Sequence, residues 1–387
     1  MGVVMKRRDF LTTIGAASVA VMLPRAAFAA PDYGNLLVLV ELKGGNDGLN
    51  TVIPYTASEY YSLRPRLAIP REQVLQLDAR SGLHPSLQPL MPLWDGRELA
   101  VIQGVGYPNA NLSHFRSIEI WDTASGSHEY LGEGWLARAF AQAPAPKAYA
   151  ADGVVVGGGE LGPLAGPGSR AIALTNTEQF LRQARLAAPS AQARTGALSH
   201  ILRVESDIVQ AAGSMTGEYA FRTEFPRTGF GNAVRTAAQV IASKAGVAAI
   251  KLSLNGFDTH SGQLATQARL LRDLADGLVA LKSALVETNR WNSTLVMTYA
   301  EFGRRPRENQ SAGTDHGTAN AHFILGGRVR GGLYGQRPLL ARLDGNGNLA
   351  HAVDFREVYA TVLERWWSVA AAGPLRGRYT PLELLRA

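Results

Sequence analysis

Short runs of apolar residues recur along the chain and predict the strands of one large sheet. The runs are rich in Val, Ile and Leu and lack the polar alternation of a strand that is exposed on one face. Uninterrupted apolar strands are typical of a parallel sheet that helices cover on both faces. The predicted strands are residues 36–40, 98–105, 153–156, 248–254, 294–299 and 322–325.

Between these strands, apolar residues recur every three to four positions and predict amphipathic helices. In residues 261–287, Leu264, Leu271 and Leu278 fall on one stripe, while most charged residues fall away from it. Strands that alternate with helices predict an α/β fold, a doubly wound and mostly parallel sheet with helices on both faces. No linker divides residues 30–387, so we expect a single domain. Further helices are predicted at residues 116–124, 195–215, 229–243 and 354–367.

Residues 1–29 differ from the rest of the chain and predict an export signal. Arg7 and Arg8 precede an apolar run at residues 14–23, and the small-residue sequence Ala-Phe-Ala follows at residues 27–29. The run is shorter than the roughly 20 residues that a membrane span needs, so no stable membrane span is expected. Paired arginines before such a run are the pattern of a twin-arginine (Tat) signal peptide. We therefore expect the Tat translocase to export the chain, which would make the mature protein periplasmic or secreted.

Composition changes this picture in two respects. The formal net charge is +7, and residues 1–29 hold four basic residues and one acidic residue, so the mature chain carries about +4. No Lys/Arg run and no nucleic-acid-binding motif accompanies this weak excess, and a nucleic-acid partner is not expected. The chain has no cysteine, so any metal ion must be held by carboxylate, imidazole and hydroxyl groups.

Acidic residues and histidines follow several of the predicted strands. Open α/β sheets bind ligands where their strands end, and oxygen and imidazole ligands together suit a divalent ion such as Zn, Ca, Mg or Mn. A simpler interpretation remains for two of these residues, because Asp47 and Asp315 could cap local turns. The candidate metal ligands are Asp47, Asp258, His260, Glu301, Asp315 and His316.

Ser113 and His114 stand where the helical pattern of residues 116–124 begins. A serine at a helix start is commonly an N-cap, which contributes about 1 kcal/mol. The same position suits a nucleophile, because the positive helix end and a metal ion would both favour the ionised hydroxyl. His114 could bind the metal ion or act as an acid, or it could bond a backbone carbonyl or pack against Phe115.

Five motifs that follow the twin-arginine start resemble the DUF1501 family, which belongs with the alkaline phosphatase and sulfatase superfamily. The motifs are GGNDGLNTVIP, SHF, GFDTH, AEFGR and GTDHG, and they cover nearly the whole mature chain. The resemblance implies an alkaline phosphatase-like α/β fold with a metal site, and it implies no particular substrate. In this superfamily the first strand ends in a metal-bound Asp, here Asp47. The Ser or Thr nucleophile stands at a helix start, here Ser113.

The sequence departs from the superfamily pattern at GFDTH. The phosphatases commonly have an Asp and a His four residues apart at this position, whereas Asp258 and His260 are two residues apart. The later motifs can therefore be aligned in two ways. The first alignment matches DHG to DHG and makes Asp315 and His316 the pair that binds one metal ion.

In this first alignment Glu301 lies behind the ligands, and the further ligand is His322 or His351. In the second alignment Glu301 takes the place of the Asp that usually ends its strand, and His316 is the later ligand. We prefer the second alignment, because a buried strand fixes the position of a residue better than a tripeptide does. Both alignments use the same residues at one site.

These features together predict an exported, metal-dependent hydrolase of a phosphate or sulfate ester. A metal-activated serine or water would attack the ester, and Arg304 or Arg305 would bind a substrate oxyanion. The expected partners are a small-molecule or polymeric ester and, during export, the Tat translocase. The alternative is a noncatalytic binding or assembly protein of the cell envelope that retains the fold.

Overall fold

The first predicted strand begins a central sheet. The computed structural model describes residues 30–174, 219–243 and 245–386. The expected export signal at residues 1–29 and the predicted helix at residues 195–215 lie outside these described residues. The strands in chain order are β1 (Leu36–Lys43), β2 (Val52–Ile53), β3 (Leu75–Gln76), β4 (Gly82–Leu83), β5 (Leu99–Gly106), β6 (Gly153–Val156), β7 (Ala171–Leu174), β8 (Ala249–Asn255), β9 (Thr294–Tyr299), β10 (Gly303–Glu308), β11 (Thr314–Gly317), β12 (Asn320–Leu325), β13 (Gly332–Gly335) and β14 (Val353–Asp354).

Helices separate most of these strands, as the sequence pattern predicts. The longest helix, α7, begins two residues later than predicted and ends at the predicted residue. The helices in chain order are α1 (Gly48–Thr51), α2 (Ser58–Leu63), α3 (Met91–Asp95), α4 (His114–Thr123), α5 (Trp135–Gln142), α6 (Gly229–Ala242), α7 (Gln263–Glu287) and α8 (Phe355–Ala360).

Within the described part of the chain, nine strands form the central sheet. Eight of them lie in the order β13, β5, β12, β9, β1, β8, β6, β7, and β14 pairs with β5. β12 is antiparallel to both of its neighbours, and the other pairs are parallel. Two small sheets, β10–β11 and β2–β4–β3, lie outside the central sheet.

Two apolar cores lie on opposite faces of the central sheet. Alternate residues of β1 enter each core, since Val38 belongs to one and Leu39 to the other. Helices α6 and α7 fill the first core, and α4, α5 and α8 fill the second. The predicted fold class, a doubly wound and mostly parallel α/β sheet with helices on both faces, is confirmed.

Residues 303–317 hold two strands that are absent from the predicted set. β10 and β11 form an antiparallel hairpin in which Arg304 is opposite His316. Its buried side chains include those of Arg304 and Thr314, which are polar, so no apolar alternation marks the strands. The direction of β12 is likewise not encoded in its pattern, because all six of its residues are buried.

The last helix widens at its end. α8 continues into a π-helical turn at Thr361–Trp366, and the N–H of Trp367 donates to the carbonyl oxygen of Val362 at 3.0 Å. This wider turn accompanies the burial of two consecutive indoles, Trp366 and Trp367. Their N–H groups donate to backbone carbonyl oxygens beside β1.

Among the described residues, no helix has the length and apolar character that a transmembrane span requires.

Candidate metal centre

Three adjacent parallel strands carry the candidate site at their carboxyl ends. β1 lies between β8 and β9 and runs parallel to both. The Gly44-Gly45 turn follows β1, Asp258 follows β8, and Glu301 follows β9. The N-terminus of α4 and the β10–β11 hairpin add the remaining side chains. The sheet therefore brings together segments that are as far as 257 residues apart in sequence.

Glu301 holds the ring of His114 in a fixed orientation. Its Oε1 atom lies 2.8 Å from Nδ1 of His114. The same carboxylate accepts hydrogen bonds from the backbone N–H of Gly44 at 3.0 Å and of Gly45 at 3.2 Å. Gly45 has a φ of 74°, and a Cβ there would lie 2.3 Å from the ring of Phe302. The glycine turn thus fixes Glu301, and Glu301 leaves Nε2 of His114 available to another partner.

Asp258 is the carboxylate on which the site converges, and Arg304 fixes it. Nη2 of Arg304 donates to Oδ1 of Asp258 at 2.7 Å. Partial burial raises the pKa of Asp258, but the hydrogen bond and charge of Arg304, with smaller effects of His316 and His114, lower it to about 2. Asp258 is therefore ionised at neutral pH. Arg304 also donates to the carbonyl oxygens of Gly45 at 2.7 Å, Thr314 at 2.9 Å, Phe257 at 3.0 Å and Gly44.

His316 has a defined tautomer. Its Nδ1 atom lies 2.7 Å from the carbonyl oxygen of Leu112, which can only accept, so Nδ1 carries a proton. Burial lowers the pKa of His316, and the charge of Arg304 lowers it further, whereas the bonds to Leu112 and Asp258 raise it; the net direction is downward. A neutral His316 then has a lone pair at Nε2.

His260 is oriented in a similar way by Asp315. Nδ1 of His260 lies 3.5 Å from Oδ1 of Asp315, which also accepts a hydrogen bond from the side-chain amide of Asn309 at 3.3 Å. A carboxylate on one ring nitrogen is the usual way in which proteins orient a metal-binding histidine.

The Nε2 atoms of the three histidines meet the carboxylate of Asp258. The distance is 3.4 Å from His114 to Oδ2, 3.1 Å from His260 to Oδ1 and 3.2 Å from His316 to Oδ1. The Nε2 atoms of His260 and His316 are 3.0 Å apart. Ligand atoms of His114, Asp258 and His316 all lie within 4.8 Å of one another. Ligands of a tetrahedral zinc ion are about 3.3 Å apart, so this cluster fits a divalent cation.

Asp47 lies in a buried network of its own. Its carboxylate pairs with Arg64, accepts a hydrogen bond from Gln263 at 2.5 Å and caps α1 through the N–H of Leu49 at 3.1 Å. Gln263 in turn accepts a hydrogen bond from Thr314, the residue before Asp315. In this arrangement Asp47 supports the loops that carry the histidines. Its hydrogen bond from the N–H of Leu49 agrees with the simpler interpretation, in which Asp47 is a local cap.

Two other expected roles also differ from the contacts that the structure shows. Arg304 was expected to bind a substrate oxyanion, but its side chain is fully buried and its donors are directed at backbone carbonyls and Asp258. Glu301 and Asp315 were expected among the ligands, but they contact the Nδ1 atoms of His114 and His260. The structure instead brings His114 into the cluster, together with Asp258, His260 and His316.

Ser113 stands beside this cluster at the start of α4. It is the N-cap residue, yet its side chain makes no capping hydrogen bond. The side chain is exposed, and so is that of Phe115, whereas His114 between them is partly buried. Its role as a nucleophile stays a prediction.

The two later histidines of the first alignment lie elsewhere. His322 is buried in β12 with its ring 5.4 Å from that of Trp121, and within the part of the chain that the structure describes neither ring nitrogen has a hydrogen-bond partner. Burial lowers the pKa of His322 to about 3. His351 is exposed and lines a neighbouring pocket. Neither belongs to the cluster around Asp258.

The supporting residues Arg64, Gln263 and the Leu112 carbonyl were not predicted. A backbone carbonyl leaves no mark in a sequence, and Gln263 looks like any polar position at the start of an amphipathic helix. Arg64 carries no signal either, because its full burial and its pairing with Asp47 appear only in the structure.

A profile of one protein family covers most of the chain. The family described as "Protein of unknown function (DUF1501)" matches residues 35–373. The chain belongs to the DUF1501 family, as the motifs predicted. None of the curated proteins compared matches the chain.

The chain also aligns with solved structures at low identity. Ps i-CgsB in complex with k-i-k-neocarrahexaose is 10% identical, with 88% of this chain and 72% of that chain covered and a TM-score of 0.39. The lipoteichoic acid synthase LtaP from Listeria monocytogenes is 10% identical, with 79% and 68% covered and a TM-score of 0.32. Alkaline phosphatase from the Antarctic bacterium TAB5 is 11% identical, with 77% and 92% covered and a TM-score of 0.32.

Proposed function

We propose that this protein is an exported, metal-dependent hydrolase of a phosphate or sulfate ester. The contact of Nε2 of His316 with Oδ1 of Asp258, at 3.2 Å, is the observation that carries the proposal. With His316 neutral and Asp258 ionised, both atoms are acceptors, and the directions of their pKa shifts favour these states. Two acceptors that face each other repel unless a cation lies between them.

The proposed ligands are His114, Asp258, His260 and His316. A donor set of three imidazoles and one carboxylate suits a borderline ion such as Zn²⁺ better than Ca²⁺ or Mg²⁺, which prefer oxygen ligands. Glu301, Asp315 and the Leu112 carbonyl are the proposed supports that turn each Nε2 toward the ion.

When bound, a divalent cation would polarise an oxygen of the ester and lower the pKa of a coordinated hydroxyl or water. The chain itself supplies the position of the nucleophile. The hydroxyl of Ser113 makes no capping hydrogen bond. It lies at the positive end of α4, which favours an oxyanion. Water is the alternative nucleophile if Ser113 proves dispensable.

Metal content and ester hydrolysis by the purified mature protein test this proposal together. We expect the wild type to retain a divalent ion after dialysis, and His316→Ala to lose it. His351→Ala is the matched control, because it removes an exposed histidine outside the cluster, and it should retain the ion. Aryl phosphates and aryl sulfates then report on turnover.

The outcomes separate the two candidate functions. A wild type that binds no ion at micromolar concentrations of Zn²⁺ or Mn²⁺ and hydrolyses neither ester contradicts the proposal. A protein that holds its ion through His316 but hydrolyses no ester favours the alternative, a noncatalytic protein of the cell envelope with a structural metal ion.

A further inference from the structure

A pocket of about 390 Å³ lies beside the candidate metal centre. Leu112 lines it, and the carbonyl oxygen of the same residue holds His316. Arg305 and Thr318 also line it; Arg305 directly follows Arg304, and Thr318 is two residues after His316. Pockets of this size hold small molecules, and a group bound here would lie next to an ester bound at the metal ion.

Arg305 lines this pocket together with Asp344, whose pKa is lowered by hydrogen bonds from Asn348 and Asn346 and also by the charge of Arg305. The Nε atom of Arg305 is buried and has no hydrogen-bond partner among the described residues. Its neighbour Arg304 differs, since it donates to four carbonyl oxygens and a carboxylate. A buried donor without a partner costs about 1–3 kcal/mol, so a ligand that supplies an acceptor here gains a strong contact.

Two further lining residues, Asp344 and Asn348, contribute acceptors. Asn348 is 3% exposed, and its Oδ1 atom has no hydrogen-bond partner in the described part of the chain. Asp344 also lines the pocket, and its Oδ1 accepts from the backbone N–H of Asn346 at 2.9 Å and of Asn348 at 2.8 Å. The lining therefore pairs a guanidinium with a carboxylate and adds amide groups.

This lining discriminates among alcohols. A hydroxyl group both donates and accepts, so a polyol satisfies Arg305 and the Asp344–Asn348 wall together. A second anionic group on the ligand would be attracted by Arg305 but repelled by the carboxylate of Asp344. A lipid chain would leave all of these polar groups without partners.

We propose that the pocket is the subsite for the alcohol part of the ester and that this alcohol is a sugar ring or a comparable polyol. The proposal rests on the proposed function, because it identifies the alcohol that hydrolysis of the ester releases. Arg305 and the Asp344–Asn348 wall bind its hydroxyl groups. They touch the substrate away from the reacting atoms and determine specificity.

The test compares two leaving groups on the same reacting group. Hexose and inositol monophosphates and monosulfates are assayed against p-nitrophenyl phosphate and sulfate. We expect Arg305→Met, and Ala350→Trp, which fills the pocket, to lower kcat/KM for the best polyol ester at least about tenfold through KM. Ala350→Trp should leave kcat/KM for the aryl ester within about twofold, and both variants should leave the metal content unchanged. Arg307→Met, an exposed arginine on the same strand, is the matched control and should affect neither ester.

Equal losses on the polyol and aryl esters, or no loss on either, overturn the subsite. If the wild type hydrolyses no ester at all, the proposed function fails, and the subsite is then tested by binding alone. In ligand-observed NMR, methyl glycosides and myo-inositol should bind the wild type and not Ala350→Trp. Absence of binding to the wild type overturns the subsite independently of catalysis.

Discussion

Two adjacent arginines at the centre have opposite surroundings, and stability measurements should separate them. Arg304 is buried and donates to four backbone carbonyls and Asp258, whereas Nε of Arg305 has no hydrogen-bond partner among the described residues. Arg304→Met would leave these acceptors without donors, so we expect the free energy of unfolding to fall by at least about 3 kcal/mol.

Arg305→Met is the matched control for this change. It removes both an unpartnered buried donor, which is unfavourable, and a favourable charge interaction with Asp344, and because these oppose each other the expected change is about 1 kcal/mol or less. Urea denaturation of the two variants and the wild type gives the comparison. Equal stability of the two variants would show that the Arg304 contacts do not hold the loops together.

His322 predicts a pH dependence of stability. The unfolded chain protonates this histidine near pH 6.5, whereas the folded chain keeps it neutral down to about pH 3, because burial lowers its pKa. The contribution of neutral His322 to the free energy of unfolding is therefore complete above pH 6.5. It is lost as the pH falls from 6.5 to about 3, with a slope of up to about 1.4 kcal/mol per pH unit.

His322→Leu keeps the apolar contact with Trp121 and removes the titrating group. Its unfolding free energy should fall less steeply than that of the wild type between pH 6 and 4, as measured by urea denaturation. His84, whose pKa burial lowers to about 4, is present in both proteins and affects both curves equally. Parallel curves of unfolding free energy against pH would mean that His322 is protonated in the folded protein as well.

At the scale of the element, the start of α4 decides between two nucleophiles. Ser113→Ala should abolish ester turnover and leave the metal content unchanged if the serine attacks. The cost in stability should be below the usual value of about 1 kcal/mol for a lost cap, because the side chain makes no capping bond. Steady-state kinetics and metal analysis of this variant give the answer. Retained turnover would assign the attack to water.

The central strands and the long helices were predictable because burial on both faces leaves an uninterrupted apolar pattern. β9 matches its prediction at both ends, and β1 runs three residues further than predicted. The β10–β11 hairpin was not predictable, because its buried side chains include the polar Arg304 and Thr314. The direction of β12 was not predictable either, because a fully buried strand has the same pattern in both directions.

The candidate site was predictable in its location but only partly in its roles. Strand ends located Asp258, His260 and His316 at one edge, since parallel strands end together. Which nitrogen of a histidine faces the centre depends on contacts between distant segments. Glu301 contacts His114, 187 positions away, and no local pattern records such a pair.

At the scale of the whole molecule, the export prediction concerns a part of the chain outside the described residues. Replacing Arg7 and Arg8 with Lys should leave uncleaved precursor in the cytoplasm, because the Tat pathway recognises the arginine pair. Cell fractionation and immunoblotting measure the two forms, and Lys6→Arg is a control that keeps the pair. Equal periplasmic levels of the double variant and the wild type would contradict Tat export.

The position of β1 in the sheet has a consequence for how the chain folds. β1 pairs with β8 and β9, so residues 37–43 find their partners only at residues 249–255 and 294–299. During synthesis the first strand therefore emerges long before either neighbour exists. Such long-range pairing slows folding and leaves an apolar strand edge open to other chains in the meantime. We expect the newly made protein to depend on a chaperone until its last third has left the ribosome.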